Sequence, residues 1–141
     1  MKKLITPLLL IFLCGCSMTQ VRDFFMGMSV EYVKNAETKY AKTFDLGAAY
    51  CYEKTLAFIH GMKAQLLNED RKKYFLCANR FDYAYTLCLD TTQLGILITP
   101  LENGKSLVEV ASGNYNLAQF VSEKLFSKLT EPEKTDTEGK R

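Results

Sequence analysis

A single histidine, His60, is all the imidazole that this 141-residue chain carries, and that scarcity excludes a good deal of chemistry. Any Cys–His nucleophile pair must use His60, yet Cys51 lies nine residues earlier in the same expected helix, and nine steps of about 100° put the two on opposite faces. No spacing supports a dyad with Cys77 or Cys88, and a histidine at a helix C-terminus is already well placed against the macrodipole. Cys51, Cys77, Cys88 and His60 also lack the C-x-x-C or H-x-x-x-H pairs that mark a zinc site. No Gly-rich phosphate loop and no nucleophile elbow is present. Asp82 and Asp90, and Glu69 with Asp70 in an expected turn, imply no cleft in which a paired acid and base would converge. The expectation is a non-catalytic protein with no cofactor and no metal.

Charge of one sign is lacking too. The chain has 18 basic and 16 acidic residues, and Lys2 and Lys3 belong to a leader, so the remainder balances at 16 against 16. Nucleic-acid binding needs a basic stripe with interleaved aromatics, and none survives that subtraction. A membrane-spanning run is missing as well: the apolar stretch from Leu4 to Leu13 is about ten residues, against roughly twenty for a spanning helix.

What is present at the N-terminus is an export leader. Met1-Lys2-Lys3, the run Leu4–Leu13 and the small-residue end Cys14-Gly15-Cys16 follow the charged, apolar and cleavage order of a secretory signal. Leu13-Cys14-Gly15-Cys16 resembles the lipobox of bacterial lipoproteins. The resemblance implies cleavage before Cys16 and lipidation of its thiol, with Cys14 a less usual occupant of its position. Ser17, rather than Asp, after the cysteine implies sorting to the outer membrane. Several acyl chains anchor durably at about 0.8 kcal/mol per buried methylene. The expected organisation is therefore residues 1–15 as signal peptide, 16–39 as a lipidated tether, 40–129 as one domain, and 130–141 as a disordered tail. The tail is Glu, Lys, Thr and Pro with too little apolar surface to offset its ordering entropy.

Within the tether, Val30 to Ala36 is expected to be helical. Tyr40–Leu46 alternates like a short strand, with Asp45 as a cap for the next element. From Gly47 to His60 the residues Ala49, Tyr52, Leu56 and Ile59 fall on one helical face, and Gly61 offers a left-handed stop. Lys63–Asn68 and Lys72–Ala78 form a hairpin pattern around Glu69-Asp70-Arg71. The stretch Asn79–Asp90 stays open between a strand extension and an irregular crossing.

The clearest hairpin joins Leu94–Thr99 to Ser106–Val110 through Glu102-Asn103-Gly104. A two-residue Asn-Gly turn would set Ile98 opposite Glu109. A three-residue loop with left-handed Gly104 sets Ile98 opposite Val108 and Ile96 opposite Val110, matching apolar to apolar. The second register is expected, and Pro100 suggests an edge or bulged strand. The last helix is expected from an Asn116 cap with Gln119 as its capping-box partner, carrying the stripe Leu117, Val121, Leu125 and Leu129. The predicted fold is α+β, a two-layer sandwich of an antiparallel sheet of about four to five strands with two helices on one face.

Candidate sites are few. With Cys16 lipidated, Cys51, Cys77 and Cys88 remain, and Cys77 with Cys88 forms either a disulfide closing a loop of about ten residues or two buried free thiols. Tyr83 and Tyr85 share a strand face and either present a contact surface for a partner or glycan, or cover a core edge.

The element order from Tyr40 to Leu129 resembles the compact domains of BamC-type lipoproteins and other helix-grip-like envelope modules. Cys88-Leu89-Asp90-Thr91-Thr92 followed by Leu94-Gly95-Ile96 resembles uncharacterised bacterial lipoproteins. These resemblances carry no catalytic residue to this chain. Anchoring without a catalytic constellation leads to the expectation of an interaction or assembly module held at the periplasmic face of the outer membrane, with an envelope protein as partner. The alternative is a carrier enclosing a small apolar ligand.

Overall fold

The computed structural model describes residues 28–81 and 92–131. Their order is α1 (Val30–Asn35), β1 (Lys39–Phe44), α2 (Ala48–Gly61), β2 (Gln65–Asp70), β3 (Phe75–Asn79), β4 (Leu94–Pro100), β5 (Ser106–Ser112) and α3 (Tyr115–Thr130). The five strands form one sheet in the order β1-β5-β4-β3-β2, antiparallel at every neighbour. The chain is α+β, as its pattern of elements predicts.

The helices α2 and α3 lie on one face of the sheet. Their buried residues Tyr52, Ile59, Leu117, Val121 and Leu125 pack with Leu76, Ile96, Ile98, Val108 and Val110 of the strands. On α3 the expected stripe Leu117, Val121, Leu125 and Leu129 is buried throughout. On α2 the face is rotated from the expected one: Ala48, Cys51, Tyr52, Thr55 and Ile59 are buried, whereas Ala49 is exposed and Leu56 half-buried. Thr55 tolerates burial because its hydroxyl donates to the Cys51 carbonyl at 2.7 Å, a local bond that satisfies the polar group.

The other face carries a smaller layer that the expected two-layer arrangement does not include. The short helix α1 and Met28 pack there, with Met28, Val33, Phe75, Cys77, Leu97 and Ala111 forming a second buried cluster. The folded unit therefore takes in residues from Met28 onward, inside the segment expected as tether. Strands β3 and β4 are buried on both sides, which accounts for their near-continuous apolar runs Phe75–Ala78 and Leu94–Ile98. Half-buried strands would alternate instead.

The β4–β5 hairpin has the expected register, with Ile96 opposite Val110 and Ile98 opposite Val108. Its loop is Glu102–Gly104, closed where the Leu101 amide donates to the Lys105 carbonyl at 2.9 Å. Asn103 and Gly104 are both left-handed, with φ of 61° and 74°. Pro100 does not mark an edge: β4 is central, and Pro100 is its last residue, exposed and opposite Ser106, where a missing donor disturbs little of the ladder. The edges are β1 and β2, and β2 carries an irregularity between Leu66 and Asn68, a common device for blunting an edge.

Turn and cap chemistry accounts for the remaining differences. Asp70 ends β2 and its carboxylate accepts from the Lys72 and Lys73 amides at 3.0 and 3.1 Å, so the turn falls at 71–74, later than expected. Asp45 does not cap α2, whose N-cap is Gly47 without a side-chain bond; it pairs with Lys105 of the hairpin loop at 2.7 Å. The cap of α3 is Asn114, not Asn116: its Oδ1 accepts from the Asn116 and Leu117 amides at 3.1 and 3.4 Å. Gln119 instead donates along the helix to Glu123 at 3.0 Å. After α2 the left-handed residue is Lys63, with φ of 56°, rather than Gly61, which ends the helix itself.

Two stability outcomes are expected from these geometries. Asn114→Ala should cost about 1 kcal/mol in urea unfolding, the usual value of an N-cap, whereas Asn116→Ala should cost clearly less. Lys63→Gly should raise stability by about 1 kcal/mol, since a side chain held left-handed costs roughly 1–2 kcal/mol and glycine's added chain entropy offsets only part of that; a lowered urea midpoint would show that Lys63 makes contacts worth more than its strain.

Candidate functional site on the second face of the sheet

The second face is built on small residues. Cys77, Gly95 and Ala111 are paired in register across β3, β4 and β5, and Lys39 of β1 continues the row. A Cβ on Gly95 would lie 2.6 Å from Val33 Cγ2 and 2.7 Å from Met28 Sδ. Only glycine lets α1 come this close, the usual meaning of a glycine inside a strand. Ser29 caps α1, accepting from the Tyr32 amide at 3.2 Å, and Val33 is the helix's fully buried residue.

One ion pair ties α1 to the sheet from the other side. Glu109 of β5 is 7 % exposed, and its carboxylate meets the Lys39 ammonium at 2.8 Å. The same ammonium donates to the Lys34 carbonyl in the last turn of α1, also at 2.8 Å. Lys39 thus holds both a buried carboxylate and an otherwise open helix carbonyl, which is where a cation is favoured.

Helix α1 separates two surface grooves of different charge. Toward the β4–β5 loop end of the sheet, a groove of about 280 Å³ is lined by Val30, Tyr74, Leu97 and Pro100, with Lys34, Lys72 and Lys73 around it. Toward the opposite end, one of about 530 Å³ is lined by Ser29, Tyr32, Ser112 and Gly113, with Glu31 and Glu37. Tyr74 enters the first groove with a left-handed φ of 51°, a rare conformation for a bulky residue. A third groove, of about 400 Å³, runs between the ends of α2 and α3 beside Leu46, Tyr50 and Leu129.

The two described thiols are poor nucleophiles. Burial pushes the Cys77 thiol above its usual range, against the smaller influence of the Met28 backbone beside it. Burial does the same to Cys51, opposed by the Ser106 hydroxyl, and a thiol that stays protonated neither attacks nor binds metal readily. Both are free and buried. Cys88, the other half of the candidate disulfide, lies outside the described residues, as do Cys16, Tyr83 and Tyr85. His60 is exposed in the last turn of α2. Among the described residues, no group of three or more His, Cys, Asp or Glu side chains is placed to hold a metal ion, and no helix is long and apolar enough to cross a membrane.

Among the described residues, the structure brings together on this face residues that the sequence did not single out. Cys77 is the described candidate position that stands on this face, as a floor for α1. Gly95, Lys39, Glu109 and the lysine groove were not anticipated. An isolated glycine within the apolar run Leu94–Ile98 was the available signal for the first; the lysines are separated in sequence and carried none. No protein-family model matches the chain, and no curated protein is detectably similar to it.

Gly95→Ala should destabilise the domain by about 1–3 kcal/mol through overpacking, because Val33 is β-branched and its χ1 is stiff within a helix. Combined with Val33→Ala it should cost less than the two single changes summed. Strict additivity in chemical denaturation would mean that α1 does not rest on Gly95.

Proposed function

We propose that this chain is an envelope lipoprotein, cut before Cys16 and anchored through it, whose α+β domain serves as a non-catalytic interaction or assembly module at the periplasmic face of the outer membrane. The observation that carries this reading is the filled interior. Between the sheet and the helices α2 and α3 lie Tyr52, Ile59, Leu76, Ile96, Leu117 and Leu125, all essentially inaccessible to solvent. A carrier needs an apolar cavity of several hundred Å³, whereas close packing of this layer directs recognition to the outer surface. The burial of Cys51 and Cys77, which favours their protonated form, and the exposed place of His60 apart from both support a binding role over catalysis. The lipobox-like Leu13-Cys14-Gly15-Cys16 supports the anchor, and Ser17 supports the outer membrane.

The reading is tested by isolating the protein from mildly solubilised envelopes, with a Cys16→Ser version as control. The expected outcome is acyl mass on a chain beginning at Cys16, absent in the variant, and a reproducible protein partner retained with the domain. Recovery of the domain with only a small apolar molecule would move the function to the carrier reading, and an unmodified Cys16 would remove the anchor.

A further inference from the structure

The groove between α1 and the β4–β5 loop end of the sheet combines an apolar floor with ammonium groups at its rim. Val30, Leu97 and Pro100 supply the floor, and Lys34, Lys72 and Lys73 the rim. Lys73 is partly neutralised by Asp70 at 3.8 Å, while Lys34 and Lys72 make no ion pair among the described residues. We propose that this groove is a docking surface for an anionic phospholipid membrane, the lysines meeting headgroup phosphates while the apolar floor receives the upper part of the acyl region.

Charge complementarity and chain length both point to that occupant. The lysine groove lies on one side of α1, and the groove on the other side carries Glu31 and Glu37. An anionic surface attracts the first and repels the second, so the face has one preferred way to meet a membrane. The chain reaches this same face at Met28, which packs against Gly95 and Cys77. Eleven residues, 17–27, separate Met28 from Cys16, a span of at most about 40 Å at full extension. An anchor at Cys16 would therefore join the domain on its second face, with the lysine groove within tether reach of the lipid. The inference rests on the lipoprotein reading for that tethering; the chemistry of the groove stands apart from it.

The test uses the chain from residue 16 onward with Cys16→Ser, so that no acyl group contributes, and phosphatidylcholine vesicles with and without phosphatidylglycerol. Co-sedimentation is expected only with the phosphatidylglycerol vesicles and should weaken as salt is raised. Lys34→Gln or Lys72→Gln should each lower the partition coefficient about fivefold, and Lys124→Gln on α3 should leave it unchanged. Equal binding to neutral vesicles, no binding at all, or insensitivity to Lys34 and Lys72 would overturn the proposal. So would displacement by inorganic phosphate at matched ionic strength, which would assign the lysines to a free anion, or crosslinking of Lys72 to an envelope protein in place of vesicle binding. Acyl mass at Cys16 is measured separately on protein from cells: its absence would sink the anchor while leaving the vesicle result to stand, and its presence would not rescue a groove that ignores anionic lipid.

Discussion

The close approach of α1 to β4 is the contact on which the rest of this architecture turns. A five-stranded antiparallel sheet covered on one face by two helices would ordinarily leave its other face to water, with strands alternating apolar and polar. Here the central strands are apolar on both faces, so the second face must be covered to keep Phe75, Leu97 and Ala111 from solvent. A six-residue helix has little area with which to do this. It succeeds because Gly95 has no Cβ, Cys77 and Ala111 beside it are small, and Met28 and Val33 descend into the space they leave.

That arrangement draws the N-terminal part of the described residues into the fold. From Met28 onward the segment expected as a tether is part of the folded layer, and the Lys39–Glu109 pair with the Lys34 carbonyl locks the far end of the helix to β1 and β5. Burying Glu109 in this way is costly unless its charge is met, and Lys39 meets it with a partly exposed ammonium. The N-terminal layer of the described domain, from Met28 onward, is packed onto the sheet.

Much of this fold was legible in the sequence because it rests on strong local signals. The β4–β5 register followed from the matching of Ile96 and Ile98 to Val110 and Val108, and the α3 stripe from its spacing. Where the pattern misled, two local solutions competed at similar energy. Asn114 and Asn116 are both good caps, and only the preceding turn, where Ser112 Oγ accepts from the Asn114 amide at 3.1 Å, selects the first. Gly61 is the natural left-handed residue, yet α2 runs through it and Lys63 carries the strain, so that Ala64 can bond back to Ile59 at 3.4 Å and lead into β2. Pro100 resembles an edge signal because its position within the sheet is set by pairing partners far away in sequence.

The candidate site was much less legible, for a physical reason. Cysteine, histidine and tyrosine draw notice because their side chains can do chemistry, yet the described thiols are buried where the charged form is disfavoured. The surface proposed here to be functional is made instead of ordinary residues brought together by topology. Lys34 comes from a helix that crosses the sheet, Lys72 and Lys73 from the β2–β3 turn, and Leu97 and Pro100 from a central strand. None is unusual in its own neighbourhood of sequence. Their meaning arises from the charge difference between the two sides of α1, and that difference exists only because Gly95 lets the helix lie flat on the sheet.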